Sequence, residues 1–355
     1  MNIGAVLLAL EGQTQGRALT AEGLGVTGLL TVANRPLLQR ATDILALAGI
    51  RDVVVASTES VASAVRRAVG EAQAPDQRIR HVELPTGAGP LAAVLAARTL
   101  LEDGPVVLHG DDSLVLGGMA EAVEHFRLQE LDALQLAVSS PARAQARVHG
   151  ENGAIALRQR PRPVGVQILG DRALSVLEAL EAERGALATL DDLPEAVREA
   201  GGRVSLEDDA RAWRFSGEVD SFLEINRLVL ERLAAEAGPD AQDAELRPAV
   251  RIEGPVLIDP TAEVRNAKLR GPVLIGPGAV IKDSYVGPYT CIAAGACLEG
   301  AEIEYSVVLR DARINHVGVR IEDSVIGAGA QVQRTFTMPT ALRMHVGPGA
   351  SVSLS

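Results

Sequence analysis

The sequence of 355 residues is poor in aromatic residues and in cysteine. Phe, Trp and Tyr together make up 2% of it, so aliphatic side chains must build the core. Single-stranded nucleic acids need aromatic side chains on which bases stack, and the sequence offers few. Its two cysteines, Cys291 and Cys297, are too few for a disulfide framework or a zinc pattern, and we expect both to stay reduced.

Positive charge is scarce as well. The formal net charge is −12, which disfavours the phosphate backbone of a nucleic acid as a partner. Lysine occurs only at Lys268 and Lys282, so residues 1–267 must rely on arginine for positive charge.

Long apolar runs are absent. None reaches the roughly 18 residues that a membrane-spanning helix needs, so we expect no membrane partner. The sequence from Met1 lacks a basic segment and turns polar by Glu11, unlike a signal peptide. We therefore expect a cytoplasmic protein.

The first half of the chain alternates apolar runs with segments of helical spacing. This order predicts an α/β fold with a mostly parallel sheet and helices on both faces. The predicted strands are Ile3–Leu10, Arg51–Ala56 and Pro105–His109, and the predicted helices include Pro36–Leu47, Val61–Val69 and Asp220–Ala235. Ligands of such sheets bind beyond the carboxyl ends of the strands, which points to the loops Glu11–Gly28 and Gly110–Gly118.

From about Ile252 aliphatic residues recur every six positions. Examples are Ile275 and Ile281, with glycine and other small residues between them. This hexapeptide pattern predicts a left-handed parallel β-helix in which three short sides form one coil. Cys291 and Cys297 are one hexad apart, so they should lie on different sides.

The length also favours two domains over a single core. We expect an α/β domain over residues 1–237, a linker over 238–251 and the β-helix over 252–355. The linker prediction rests on the Gly- and Pro-containing acidic stretch that follows the last helix of the first half.

Two segments, Leu29–Leu38 and Leu47–Val55, resemble the sugar nucleotidyltransferase family. The C-terminal part, from Gly271 onward, is similar to the long form of glucose-1-phosphate thymidylyltransferase within that family. The family joins a sugar 1-phosphate to a nucleoside triphosphate. The resemblance therefore implies these partners, or the NDP-sugar product, and Mg²⁺ as the cofactor of an active enzyme.

The resemblance places the family's glycine-rich phosphate loop at Glu11–Arg17. Gly12 would bind nucleotide and Arg17 would clamp a phosphate as a catalytic residue. Gln13 and Gln15 replace glycines that let the backbone approach phosphate closely. Arg17 could equally be an exposed loop arginine.

Gly110 and Asp111 follow a predicted strand and match the first metal-binding position of the family. A carboxylate at the end of a parallel strand suits magnesium, so Asp111 is predicted as a catalytic metal ligand and Gly110 as a nucleotide-binding residue. The alternative is a loop cap, a role that Asp112 would serve equally well.

Several other family positions carry different residues. Thr27 stands where the family has a lysine, Phe215 where it has the second metal-binding aspartate, and Val82 where a glutamine reads the base. Gly87 keeps its nucleotide-binding position. On the sugar side, Arg160 replaces a lysine, and we predict sugar binding by Arg160 and Gly165.

These departures lead to alternative functions. The first is a weakly active or inactive family member that binds ligand or regulates, as a homo-oligomer or beside an active paralogue. The second is an active enzyme in which Arg17, Arg35 or Arg160 replaces the lysine and Glu218 or Asp220 the aspartate. A third is a purely structural role. Acyl transfer with His316 or His345 as base is the least supported.

Overall fold

The computed structural model describes residues 3–11, 25–70, 76–138, 161–209, 211–238 and 249–334. They form an α/β part followed by a stack of short parallel strands. The strands of the α/β part are β1 (Gly4–Ala9), β2 (Thr31–Val32), β3 (Arg35–Pro36), β4 (Asp52–Thr58), β5 (Arg78–Leu84), β6 (Val106–His109), β7 (Ser113–Val115), β8 (Ala133–Val138), β9 (Arg162–Leu169), β10 (Val204–Asp208) and β11 (Ala212–Arg214). The α-helices are α1 (Leu37–Leu47), α2 (Ala62–Gly70), α3 (Pro90–Arg98), α4 (Met119–Leu128), α5 (Asp171–Arg184), α6 (Leu193–Glu199) and α7 (Val219–Ala237).

Seven strands form one twisted layer in the order β10-β8-β9-β6-β1-β4-β5. Every neighbouring pair is parallel except those that β9 makes with β6 and β8. The carboxyl ends of β6, β1, β4 and β5 therefore share one edge of the sheet. The predicted mostly parallel sheet is confirmed.

Each face of the sheet is covered by helices. In β1, Ala5 and Leu7 point into a core with α1, α2, α4 and α7, whereas Val6 and Leu8 point into a core with α3, α5 and α6. Such strands are apolar throughout because both faces are buried. Helices on both faces, predicted from the sequence, are confirmed.

The C-terminal strands are β12 (Val250–Glu253), β13 (Val256–Ile258), β14 (Glu263–Arg270), β15 (Val273–Ile275), β16 (Val280–Val286), β17 (Thr290–Ile292), β18 (Cys297–Glu299), β19 (Glu302–Ile303), β20 (Val307–Val308), β21 (Arg313–Asn315), β22 (Arg320–Ile321), β23 (Val325–Ile326) and β24 (Gln331–Gln333). Each pairs in parallel with a strand of a neighbouring coil, for example Val256 with Val273 and Val273 with Thr290. Equivalent positions such as Ser284 and Ala301 are 17 residues apart.

The inward positions of these coils form a continuous aliphatic core. Val264, Ile281, Leu298 and Ile314 stack above one another and are 0–3% exposed. This arrangement agrees with the predicted parallel β-helix, while its left-handed sense stays a prediction. Cys291 in β17 and Cys297 in β18 lie in different stacks and are free thiols, as the hexad spacing predicts.

One side of the stack packs against the α/β part. Cys291, Val307 and Leu309 belong to the same apolar core as residues of α1 and α7. Among the described helices, none is long and apolar enough to cross a membrane.

Candidate functional site

Asp111 lies directly after β6, at the sheet edge where ligands of parallel sheets bind. Asp111 is only 8% exposed, and its Oδ2 accepts a hydrogen bond of 3.2 Å from the backbone N–H of Gly28. The backbone amide of Thr27 also contacts this carboxyl group. Burial, and then the neighbouring charge of Asp112, raise the pKa of Asp111 to about 8. Asp111 is therefore mainly protonated at neutral pH.

The structure brings Thr27 next to Asp111. Thr27 begins a short 3₁₀ turn, Thr27–Leu29, and is 2% exposed. This is the position at which the family resemblance expects a lysine, and a hydroxyl group cannot supply the positive charge of a lysine ammonium.

Gly28 was predicted only as the end of a loop. A Cβ atom at Gly28 would lie 2.5 Å from Cγ of Leu38, so only glycine lets the turn pack on α1 and reach Asp111. The pairing joins residues 83 positions apart, and no local pattern announces it.

Asp112 faces a different set of partners. Its Oδ2 accepts a hydrogen bond of 2.8 Å from Nε of Arg214, and its Oδ1 accepts one of 2.8 Å from Oγ of Ser113. Nη1 of Arg214 also lies 3.1 Å from Oδ2 of Asp191. The negative charge of Asp112 is therefore compensated within the protein, by an arginine that the sequence analysis did not single out.

Gly110, which is predicted to bind nucleotide, and Gly165, which is predicted to bind sugar, are direct neighbours. The backbone N–H of Gly110 donates a hydrogen bond of 2.6 Å to the carbonyl of Gly165. A Cβ atom at Gly165 would lie 2.8 Å from Oδ1 of Asp112. These glycines permit close approach of β6 and β9 beside the two aspartates.

Phe215, where the family resemblance expects a second metal-binding aspartate, is buried. It is 5% exposed, belongs to the α1/α7 core, and its ring centroid is 5.9 Å from that of Trp213. Its backbone N–H donates a hydrogen bond of 2.7 Å to the carbonyl of Asp112, which fixes the segment beside the site. Glu218 and Asp220, the suggested substitutes, are exposed at the start of α7.

These residues do not fit a magnesium ion. Mg²⁺ takes oxygen ligands in near-octahedral geometry, but Oδ2 of Asp111 already accepts a hydrogen bond from the backbone N–H of Gly28. Asp112 is already paired with Arg214, and Phe215 offers no oxygen. Across the described ranges, no three His, Cys, Asp or Glu side chains form a group that could hold a metal.

Of the residues predicted to bind nucleotide, Gly87 and Gly110 are among the described residues. Gly87, between β5 and α3, has a φ of +90°, which favours glycine, and a Cβ atom there would meet nothing within 4 Å. Val82 lies in β5 and packs against the core under α3. Gly12, Arg17 and Arg160 lie outside the described residues.

The other candidates from the sequence lie apart from this constellation. Arg35 pairs with Asp43 at 2.8 Å and donates a hydrogen bond of 3.0 Å to Gln39 on α1. His316 is exposed at a corner of the coil stack, and His345 lies outside the described residues.

His109, the last residue of β6, was not singled out by the sequence analysis. It is 1% exposed, and its Nδ1 lies 2.8 Å from the carbonyl of Gly110. Burial lowers the pKa of His109 to about 4, so the ring is neutral at physiological pH. The site thus has a neutral imidazole and a neutral carboxyl group under the sheet edge.

Comparison with known proteins identifies relatives over almost the full chain. The chain is 28% identical over 358 residues to glucose-1-phosphate thymidylyltransferase of Streptomyces griseus, covering 98% of this chain and 99% of the relative. It is 29% identical over 340 residues to the protein of that name from Streptomyces antibioticus, covering 92% and 93%. It is 29% identical over 360 residues to the low-salt glycan biosynthesis nucleotidyltransferase Agl11 of Haloferax volcanii, covering 97% and 99%.

A solved structure from Bacillus anthracis, described as a glucose-1-phosphate thymidylyltransferase, shares the fold. Its TM-score is 0.52 at 16% identity, over 64% of this chain and 94% of that one. No family model matches the chain. The full-length relatives support a sugar nucleotidyltransferase family of the glucose-1-phosphate thymidylyltransferase type.

Proposed function

We propose that this member of the sugar nucleotidyltransferase family binds a nucleotide or sugar phosphate at the edge beyond β6 but transfers nucleotidyl groups weakly or not at all. It would act as a ligand-binding or regulatory subunit, as a homo-oligomer or beside an active paralogue. The relatives' names supply the ligand class, thymidine nucleotides and glucose 1-phosphate.

The buried Phe215 is the observation that carries this proposal. Nucleotidyl transfer requires cationic and metal charges that stabilise the phosphates in the transition state. An aromatic ring packed on Trp213 occupies the segment where the family resemblance expects a carboxylate. A carboxylate from another residue could occupy this place only if the Phe215 ring left the core.

The other losses act in the same direction. Thr27 brings no charge to Asp111, and Asp112 is neutralised by Arg214. Removing one preorganised charged group typically lowers the rate by about 10²–10³-fold. The chain lacks two such groups, the lysine at the position of Thr27 and the aspartate at the position of Phe215, so we expect turnover below ordinary detection.

Pyrophosphate release tests the proposal directly. The full chain would be assayed with Mg²⁺, each of the common nucleoside triphosphates, and glucose 1-phosphate or other sugar 1-phosphates. We expect no release above background, together with a ligand-dependent rise in melting temperature for at least one nucleotide or sugar phosphate.

The outcomes separate the alternatives. Turnover with any substrate pair would overturn the inactive reading and favour an enzyme with rearranged residues. Absence of any thermal shift with nucleotides and sugar phosphates would overturn ligand binding and leave the purely structural role.

A further inference from the structure

A short hairpin connects the Asp111 site to the stack of parallel strands. Strands β2 and β3 pair antiparallel through a turn whose central residues, Ala33 and Asn34, have φ values of +43° and +62°. Asparagine tolerates this left-handed conformation better than most residues. The hairpin follows the turn Thr27–Leu29, so one continuous segment runs from the site to the seam between the two parts of the molecule.

The near end of this segment holds Asp111. The backbone N–H of Gly28 donates to Asp111, and the backbone N–H of Leu37 donates a hydrogen bond of 3.0 Å to the carbonyl of Leu30. Leu30 and Val32 are 1% and 0% exposed in the α1/α7 core. The stretch between the site and the turn is therefore packed along its length.

The far end is held by β17 through the side chain of Asn34. Its Nδ2 donates a hydrogen bond of 2.9 Å to the carbonyl of Ile292, and its Oδ1 accepts one of 3.1 Å from the thiol of Cys291. A Cβ atom at Gly276 would lie 2.9 Å from this Nδ2, so the neighbouring coil leaves room for the amide only because it has glycine there.

The same turn is supported from two helices. Arg40 of α1 donates hydrogen bonds of 3.0 and 2.8 Å to the carbonyls of Val32 and Ala33. Oδ1 of Asn226, on α7, accepts one of 3.1 Å from the backbone N–H of Ala33, and Nδ2 of Asn226 donates one of 3.4 Å to the carbonyl of Tyr289. The turn is therefore held by hydrogen bonds from both parts of the chain.

We propose that Asn34 is a positioning residue for the Asp111 site: by fastening the hairpin to β17, it fixes the Thr27–Leu30 backbone that holds Asp111. The hydrogen bonds at Asp111 and the seam then open together, and a ligand bound beside Asp111 stabilises the seam. Only this last consequence rests on the proposed binding function.

The reactivity of the two cysteines can measure the coupling between the Asp111 site and the seam within one molecule. Cys291 is 0% exposed under the hairpin, and burial raises the pKa of Cys291 to about 12, so a thiol reagent reaches it through opening of the seam. Cys297 is half-buried in the adjacent stack and serves as the internal control.

The first experiment needs no ligand. Alkylation by iodoacetamide would be followed by mass spectrometry at both thiols in the wild type, Asp111→Ala and Asp111→Asn. We expect Cys291 to react about fivefold faster in Asp111→Ala, because the Gly28 amide loses its acceptor, and near the wild-type rate in Asp111→Asn. Cys297 should not change. An unchanged Cys291 rate in Asp111→Ala would overturn the coupling.

Leu91→Ala supplies a control for general loss of stability. Leu91 is buried in the core on the opposite face of the sheet, whereas Leu30 and Val32 belong to the α1/α7 core. We expect its substitution to lower the melting temperature without selective acceleration at Cys291. Acceleration at Cys291 as large as in Asp111→Ala would also overturn the proposal.

The second experiment changes Asn34 itself. Asn34→Gly keeps the left-handed turn and deletes both hydrogen bonds, and Asn266→Gly is the matched control at an exposed corner with a φ of +45°. We expect Asn34→Gly to speed Cys291 alkylation about tenfold or more, and Asn266→Gly to leave it unchanged. Equal rates in the two variants would count against a positioning role.

The third experiment adds dTTP to the wild type. A thermal shift with slower Cys291 alkylation and unchanged Cys297 supports both proposals. A thermal shift without protection of Cys291 overturns the predicted stabilisation of the seam and leaves ligand binding intact. If no probe nucleotide or sugar phosphate shifts the melting temperature while the first two experiments give the expected rates, the proposed function fails and the positioning role of Asn34 stands.

Discussion

Contacting residues are close in sequence in the coil stack but far apart in sequence at the edge of the α/β sheet. In the coils, a residue meets its partner about one coil later, as Ala301 meets Ser284 over 17 positions. At the sheet edge, Gly28 meets Asp111 over 83 positions and Arg214 meets Asp112 over 102. A repeated local pattern can therefore specify the coils, whereas the state of each group in the site depends on distant parts of the chain.

The largest expected effect tests whether Phe215 belongs to the core or to the site. Phe215→Asp would restore a carboxylate, but it would bury a charge and remove an aromatic side chain. We expect a loss of about 4 kcal/mol or more in the free energy of unfolding, with no gain of pyrophosphate release. Denaturant unfolding with Phe215→Leu as the apolar control would measure it. Normal stability with new turnover would show that the position still serves the site.

The next effect tests the coil core. Leu298→Ala opens a cavity among the stacked aliphatic residues and should cost about 2–5 kcal/mol, because Leu298 is 0% exposed. The matched control is Leu128→Ala, since Leu128 is 72% exposed and its truncation should change stability by less than about 0.5 kcal/mol. Comparable losses in thermal or urea unfolding of the two variants would contradict the assigned core.

The pH dependence of stability tests the neutral state of the site. Burial raises the pKa of Asp111 to about 8 in the folded protein, so folding favours its protonated form. That stabilisation is complete below about pH 4, where the unfolded chain is protonated as well, and is lost as pH rises through 8. The lowered pKa of His109 acts oppositely and removes stability as pH falls from about 6.5 to 4.

The two effects oppose each other at acidic pH, so the window between pH 6.5 and 8 isolates Asp111. We expect roughly 1–2 kcal/mol to be lost there, at a limiting slope of about 1.4 kcal/mol per pH unit for one proton. Asp111→Asn should flatten this difference between the two pH values in urea unfolding. An equal slope in Asp111→Asn would show that Asp111 is ionised in the folded protein.

The last comparison is between the two carboxylates that Arg214 contacts, and it includes the smallest expected effect, that of Asp191→Ala. The side chain of Asp112 is 13% exposed and that of Asp191 is 48% exposed. Asp112→Ala should cost about 1–3 kcal/mol, because it also removes the acceptor of Ser113, whereas Asp191→Ala should cost about 0–1 kcal/mol. Unfolding at low and high salt would check this, and the Asp191 effect should be the more sensitive to salt. Equal losses would place both pairs in the same environment.

Local pattern was sufficient for most of the scaffold. The apolar run Ile3–Leu10 contains β1, and the helical spacing of Pro36–Leu47 contains α1, since burial on one or both faces leaves a clear periodicity. The hexads located the coils because each inward side chain meets an equivalent one in the next coil. The edge position of Asp111 also followed, because strand ends of a parallel sheet meet at one edge.

Local pattern could not predict which charges survive at that edge. Nothing around Arg214 indicates that it pairs with Asp112, and nothing around Asn34 indicates that it binds β17. Asp111 matched a metal-binding position by its neighbours in sequence, yet its raised pKa depends on burial, which outweighs the lowering effect of the backbone hydrogen bonds from Gly28 and Thr27. These properties arise from contacts between separate segments.

The sequence by itself determined the parallel sheet with helices on both faces, the stack of coils and the position of Asp111 at the sheet edge. These depend on side-chain periodicity, which repeats within a few residues. Only the tertiary structure decided that Asp111 is neutral, that Asp112 forms an ion pair with Arg214 and that the hairpin joins the site to the coils. Burial and charge compensation depend on residues from distant parts of the chain, and such contacts leave no periodic pattern in the sequence.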